Sequence, residues 1–202
     1  MNFWEFKSSL KDFPIFSTAD IRIVDANFDR RRLSEWQGKH YIRKIAKGLY
    51  IFSDVDVDES MIYRIANKLY RPSYVSLESA LAHYQLIPEV IYGVTSVSTR
   101  RTYRFETSLT HFSYRTVSPR LFFGYTLRPD QVKIAIVEKA LLDYLYLKPS
   151  IDNPAAVDSL RVDRDNLADQ LDETRLQDLL ERFGSGALSR RLYGFLERIK
   201  HA

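Results

Sequence analysis

Basic side chains crowd one short stretch near the start of the chain. Between Asn27 and Tyr50, seven basic residues stand against two acidic ones, a net charge of +5. The basic residues are Arg30, Arg31, Arg32, Lys39, Arg43, Lys44 and Lys47. Guanidinium and ammonium groups at this density are suited to binding phosphate oxygens. An arginine run without context more often forms a solvated helix face, so the interpretation depends on the elements that carry it.

A second basic stretch lies between Ser98 and Arg128, again with a net charge of +5. Its basic residues are Arg100, Arg101, Arg104, Arg115, Arg120 and Arg128. Arginines that alternate along strands often face water, so phosphate binding and a solvated face both stay open here. The neighbouring aromatics could stack on single-stranded bases, but their pattern favours a sheet core. They are Tyr103, Phe105, Phe112 and Tyr114.

The residue types that most enzymes and metal sites need are scarce. The chain has no cysteine, which excludes disulfides, thiolate zinc sites and cysteine nucleophiles. The four histidines are widely spaced, and none forms an HExxH pair. They are His40, His83, His111 and His201. With no Walker A loop and no GxGxxG either, the sequence predicts no metal, no cofactor and no enzymatic activity.

One pattern resembles that of magnesium-dependent nucleases. Pro129-Asp130 is followed by Glu138-Lys139, but that chemistry needs the lysine two residues after the second acid. Here the two are adjacent, in a segment with a helical pattern. We therefore interpret Glu138 and Asp143 as polar positions on an amphipathic helix.

The first basic stretch follows three helical patterns. The first helix is predicted over 2–11. Ser17 or Thr18 can cap a second helix with Asp20 in its first turn. The third is predicted over 28–37, with Leu33 and Trp36 facing inward, and Gly38 is expected at its C′ position.

The period then changes to that of strands. Two short β-type runs, HYIRKIA and LYIF, flank Lys47-Gly48 and predict a hairpin. Three helices followed by a hairpin predict a winged helix-turn-helix over 1–56. Its third helix would enter the major groove of DNA, and its hairpin would touch the neighbouring backbone.

The acidic stretch at 53–60 is the segment of the chain most typical of a linker. The sequence after it predicts a second domain over 57–202. The fold class is therefore α+β, with an N-terminal winged helix-turn-helix, a mixed α/β C-terminal domain and a helical tail. Helices are predicted over 59–70 and 76–86, the latter capped by Ser76. Strands are predicted over 90–97, 102–107, 111–117 and 121–127, then an extended start and buried helix over 132–147, and helices from about 154.

Bulk composition is ordinary for a globular protein. The 202 residues are 45% hydrophobic, with a formal net charge of +4. The N-terminus has no apolar signal region, and the longest apolar runs are far too short to cross a bilayer. We expect a soluble cytoplasmic protein with no membrane partner.

Four blocks together resemble the AbiEi-type antitoxins, transcriptional regulators of abortive-infection toxin–antitoxin pairs. The blocks cover 16–52, 70–89, 94–107 and 136–147 of the chain. The most telling pieces are the KGLY turn beginning at Lys47, the SxxSAL helix beginning at Ser76 and the ExALxD helix beginning at Glu138. The final 55 residues carry no such signature.

The resemblance implies a repressor and antitoxin of antiviral defence. The N-terminal domain would bind inverted repeats in double-stranded DNA of its own promoter. The C-terminal domain would counteract a nucleotidyltransferase-like toxin without forming a stable complex. The alternative is a non-enzymatic interaction module whose basic surface binds RNA or an acidic protein partner.

Overall fold

The architecture is that of a computed structural model, which describes residues 1–88 and 93–201. It is mixed α+β and ends in a run of helices. Within the described part, no helix combines the length and apolar character that crossing a membrane requires.

The N-terminal unit alternates short helices and strands. Its elements are α1 (Phe3–Ser9), β1 (Ile15–Ser17), α2 (Thr18–Val24), α3 (Arg31–Gly38), β2 (Ile42–Ala46) and β3 (Leu49–Phe52). The strands form a three-stranded antiparallel sheet in the order β1-β3-β2. The predicted hairpin is confirmed, and Gly48 takes a φ of 75° in its turn, a conformation that glycine adopts without a Cβ clash.

Local sequence explains where the first two helices begin. Asn2 and Glu5 form a reciprocal capping box at α1, and Ser17 and Asp20 form another at α2. Each box satisfies backbone N–H groups that a helix start otherwise leaves unpaired. The predicted capping of α2 by Ser17 is confirmed.

Aromatic rings fill the core of this unit. The Trp36 ring lies 4.7 Å from that of Phe6 and 5.3 Å from that of Phe3. Leu33 and Trp36 are 4% and 3% exposed, which confirms the inward face predicted for α3. This face fixes α3 against the sheet and turns its other side to solvent.

The expected role of Gly38 is wrong. Helix α3 runs through Gly38, and His40 is the residue with a left-handed backbone, at φ 56°. The N–H of His40 donates to the Gln37 carbonyl and that of Tyr41 to the Trp36 carbonyl. This is a Schellman ending with histidine at C′, so the C′ position lies two residues later than predicted.

The rest of the chain forms a larger α+β unit. Its elements are α4 (Glu59–Leu69), β4 (Ser73–Val75), α5 (Leu77–His83), β5 (Val94–Ser98), β6 (Tyr103–Glu106), β7 (His111–Thr116), a 3₁₀ turn (Pro119–Leu121), β8 (Tyr125–Leu127), β9 (Lys133–Ala135), α6 (Val137–Leu147), α7 (Pro154–Asp158), α8 (Arg164–Gln170), α9 (Glu173–Phe183) and α10 (Gly186–His201). The strands form one sheet in the order β6-β7-β5-β4-β9-β8. Pairs β5–β7 and β4–β9 are parallel, and the other pairs are antiparallel.

Most of the predicted elements of this unit are present. The strand predicted over 90–97 appears as β5, and 90–92 lie outside the described residues. The strand predicted over 121–127 is wrong in its first half, because Gly124 turns the chain with a φ of 69° and only Tyr125–Leu127 pair with β9. The predicted transition from an extended start to a buried helix appears as β9 followed by α6.

Two expectations about polar side chains are corrected. Ser76 occupies the N-cap position of α5 but makes no capping bond, because its hydroxyl donates to Asp143. Glu138 and Asp143 are each 0% exposed, so they do not lie on the solvent-facing side of an amphipathic helix. Helix α6 is buried on all sides over most of its length, with Asp143 paired to Lys139 and Glu138 accepting from the Asp172 backbone N–H.

The two units share apolar contacts. Ile15, Ile45, Leu49 and Ile51 of the small sheet belong to the same hydrophobic cluster as the C-terminal core. Lys68 of α4 also donates to the Ile15 carbonyl at 2.8 Å. The division of the chain near residue 56 stays a prediction.

Candidate nucleic-acid interface

Helix α3 presents Arg31 fully to solvent. The Arg31 side chain is 93% exposed, and its Nε lies 3.3 Å from Asp29 Oδ1. The backbone N–H and then the side chain of Arg31 donate to Asp29, which lowers the pKa of that carboxyl. An exposed pair of this kind contributes little to stability, so a phosphate can displace the carboxylate at small cost.

The neighbouring arginines differ from Arg31. Arg30 is exposed at the N-cap position and makes no side-chain capping bond. Arg32 is partly buried, and its guanidinium donates to the Met1 carbonyl at 2.8 Å. Arg32 therefore tethers α3 to the N-terminus, and Arg30 and Arg31 are the two exposed arginines of the run.

Lys39 closes the other end of α3. Its Nζ lies 2.6 Å from Glu35 Oε1, one helical turn back, and both side chains are about half exposed. The hydrogen bond between them raises the pKa of Lys39 and lowers that of Glu35. Both groups are therefore charged at neutral pH, and Lys39 is available to an anion only after exchange of this partner.

The hairpin carries Arg43, Lys44 and Lys47. Arg43 pairs with Ile51 and Lys44 with Tyr50 across the hairpin, so the side chains of Arg43 and Lys44 lie on opposite faces of the small sheet. Ile42 belongs to the N-terminal core, on which α3 also packs, whereas Ile45 faces the C-terminal unit.

Lys44 and Lys47 are exposed, while Arg43 is half-buried and its Nε is buried without a hydrogen-bond partner in the described chain. Because α3 packs against β2, the fold groups Arg30, Arg31, Lys39, Lys44 and Lys47 around one helix and one hairpin. Arg32 and Arg43 lie on the same two elements but are partly buried.

The arginines of the second basic stretch, over 98–128, lie on several different elements. Its arginines are distributed over the β5–β6 turn, β6, β7, the 3₁₀ turn and the loop before β9, and several are occupied by neighbours. Arg104 pairs with Glu106 at 2.7 Å, Arg120 donates to the Phe183 carbonyl at 3.2 Å, and Arg128 donates to His83 Nε2 at 2.6 Å. Arg100 lies over the Tyr70 ring at 4.5 Å.

The aromatics of this stretch mostly build the core, as their pattern favoured. Phe112 and Tyr114 are fully buried and Phe105 is half-buried. Tyr103 remains 44% exposed at the edge strand β6, with its ring stacked on Tyr70 at 6.1 Å.

The residues of the nuclease-like pattern bind different partners. Asp130 accepts from Ser60 at 3.0 Å and lies 3.2 Å from Arg128, whereas Glu138 accepts from the Asp172 backbone N–H at 2.9 Å. Lys139 forms an ion pair with Asp143. Across the described residues, histidines and carboxylates form no group of three or more that could hold a metal ion.

Sequence reasoning missed a buried polar cluster under the large sheet. Lys139 Nζ donates to the Tyr74 hydroxyl at 2.9 Å and to the Asp143 carboxylate. The hydroxyls of Tyr74 and Ser76 each donate to Asp143 Oδ2 at 2.9 Å. Burial raises the pKa of Asp143 and lowers that of Lys139, against their mutual attraction. The only sequence signal was a lysine and an aspartate four apart in an apolar helix.

Fold and site together define an α+β protein with a helical C-terminal tail and an exposed basic helix and hairpin at its N-terminus. No family model matches the chain, and no curated protein matches it significantly. Among solved structures, the crystal structure of the RV2827C protein from Mycobacterium tuberculosis is similar, with a TM-score of 0.60 and 13% identity. The match covers 95% of this chain and 75% of that one. At this identity the likeness concerns the fold alone.

Proposed function

We propose that this protein binds double-stranded DNA through a winged helix-turn-helix over residues 1–56. The observation that carries the proposal is α3, which buries Leu33 and Trp36 and leaves Arg30 and Arg31 exposed, followed by a hairpin whose Lys44 and Lys47 are also exposed. The element order α1-β1-α2-α3-β2-β3 and the small antiparallel sheet support the same interpretation, with α3 as recognition helix and β2–β3 as wing.

The dimensions suit this mode of binding. Helix α3 has eight residues. An α-helix with its side chains is about 10–12 Å in diameter, which fits the major groove of B-DNA, roughly 12 Å wide. Lys44 and Lys47 on the wing would meet the neighbouring phosphates, while the first residues of α3 approach base edges. The acidic loop that follows β3 carries Asp54, Asp56 and Asp58 and would stay away from the backbone.

We further propose that the protein represses its own promoter and acts as antitoxin to a nucleotidyltransferase-like toxin. This part rests on the resemblance of four sequence blocks to AbiEi-type regulators. The large C-terminal unit would carry the antitoxin activity.

The test of DNA binding compares two charge-matched double variants. Arg31→Ala with Lys44→Ala removes one cation from α3 and one from the wing, while both side chains are exposed and outside the core. The control, Arg164→Ala with Lys200→Ala, removes the same charge from exposed positions in the C-terminal helices. Binding to a duplex from upstream of the gene is measured for both.

We expect the first variant to bind at least tenfold more weakly and to lose about two units of salt dependence, since each phosphate contact contributes about 0.9 to that slope. The control should bind as the unmodified protein does. Equal affinity in both variants would exclude α3 and the wing as the interface. Binding to RNA or to an acidic protein in preference to duplex would favour the interaction-module alternative.

A further inference from the structure

A groove of about 610 Å³ lies at the junction of the two units. The N-terminal side contributes Phe13, Ile15 and Asp20, and the C-terminal side contributes residues of α4, the segment leading into β4, and the β8–β9 hairpin. Its volume is in the range of sites that hold small organic ligands.

Four cations line this groove against a single carboxylate: Arg64, Lys68, Arg71 and Lys133 against Asp20. Lys68 is occupied, because its Nζ lies 2.7 Å from Asp20 Oδ2 and donates to the Ile15 carbonyl at 2.8 Å. Arg64, Arg71 and Lys133 have no acidic partner among the residues that the structure describes. The groove therefore keeps an excess of three positive charges.

The backbone that carries these cations is held in place. The Asn67 side chain donates to the Lys133 carbonyl at 3.1 Å and accepts from its backbone N–H at 2.6 Å. This clamp joins α4 to β9, so that Arg64 and Lys133 project from fixed positions. Charges arranged before binding cost less ordering entropy when an anion arrives.

Apolar and hydroxyl groups complete the walls. Phe13 and Leu127, which are 54% and 62% exposed, both line the groove and give it an apolar surface. Ser73 is 3% exposed in the wall, and its hydroxyl has no hydrogen-bond partner in the described chain. A buried hydroxyl without a partner in a polar wall is often satisfied by a bound water or ligand.

We propose that this groove is a phosphate-ester site whose ligand is a nucleotide. Arg64, Arg71 and Lys133 bind the phosphates, and Phe13 and Leu127 contact the base. The same cations could instead receive a phosphate of the DNA backbone, a second source of the same chemistry that the test separates. Since both units supply walls, the bound ligand bridges them.

The test uses the full chain in phosphate-free buffer, with ATP, AMP and pyrophosphate as probes in isothermal titration calorimetry. The variant is Arg64→Ala with Arg71→Ala, and the charge-matched control is Arg164→Ala with Lys200→Ala. Circular dichroism checks the fold of each. If the double variant does not fold, Lys133→Gln replaces it, because that side chain is exposed.

We expect saturable binding of ATP below millimolar concentration, weakened at least tenfold in the groove variant and unchanged in the control. Duplex binding, measured separately, should be the same in the groove variant and the unmodified protein. If ATP does not bind but the groove variant loses duplex affinity tenfold, the site is kept with the DNA backbone as its phosphate source. If neither ligand distinguishes the groove variant from the control, the proposal is overturned, whether or not the protein binds DNA through α3.

Discussion

Lys139 and Asp143 form an ion pair one helical turn apart on α6, and both side chains are completely excluded from solvent. Three hydrogen bonds involving Tyr74 and Ser76 complete the cluster. The Lys139 ammonium also lies 4.8 Å from the Phe183 ring centroid and 5.0 Å from that of Phe123. The pair thus connects α6 to the central strand β4, the start of α5 and the helical tail.

Breaking this pair should destabilise the fold strongly. Lys139→Met leaves the Asp143 carboxylate buried without its cation, and such a loss costs about 3–5 kcal/mol. Adding Asp143→Leu should recover part of that cost, because no uncompensated charge remains. Urea denaturation measures both, with the exposed Lys200→Met as control. A single variant as stable as the control would contradict a structural role for the pair.

Gly124 should tolerate no side chain. Its φ is 69°, and an added Cβ would lie 2.9 Å from Lys139 Cγ. Gly124→Ala combines a strained backbone with overpacking and should cost about 1–3 kcal/mol. Gly186→Ala is the matched control, because a Cβ there meets nothing within 4 Å. Equal melting temperatures for the two variants would refute the close approach.

Asp20 should make stability depend on acid pH. Burial raises its pKa, but hydrogen bonds from Lys68 and Ser17 outweigh this and hold the pKa below its usual value. A carboxyl with a lowered folded pKa stabilises the fold above its unfolded pKa, about 3.9. That stabilisation is lost as the pH falls through the lower folded value.

The free energy of unfolding of the unmodified protein should therefore exceed that of Asp20→Asn at pH 6, and the difference should shrink at pH 3. Asp56→Asn removes the same charge from an exposed loop position and serves as control. A difference that stays constant between the two pH values would show that the carboxylate charge of Asp20 does not stabilise the fold.

Local signals predicted much of the N-terminal unit. The Ser17 cap, the inward Leu33 and Trp36 and the Lys47-Gly48 turn depend on neighbours a few residues away, so their pattern is visible in the sequence. The exposure of Arg31 follows from the same periodicity. The tether from Arg32 to the Met1 carbonyl does not, since it joins residues 31 positions apart.

Long-range partners explain the failures in the C-terminal unit. Ser76 was predicted to cap α5 because its hydroxyl could accept from a helix N–H. In the structure the hydroxyl donates instead to Asp143, 67 residues away. Glu138 and Asp143 were predicted on the polar side of an amphipathic helix because charges are rarely buried without partners. Besides Lys139, one turn before Asp143, their partners are Tyr74, Ser76 and the Asp172 backbone N–H, which lie 34 to 69 positions away in the chain. The groove was not predicted for the same reason, since its cations come from α4, from β9 and from the segment that precedes β4.

The central claim is sequence-specific duplex binding through α3 and the wing, and fluorescence anisotropy tests it most directly. A labelled duplex from upstream of the gene is compared with a scrambled duplex at 50 and 200 mM salt. We expect at least a tenfold preference for the native duplex, about 1.4 kcal/mol. If the five exposed cations of α3 and the hairpin meet phosphates, affinity should fall about 500-fold between the two salt concentrations. Equal, weak binding to both duplexes with a shallow salt dependence would contradict the claim.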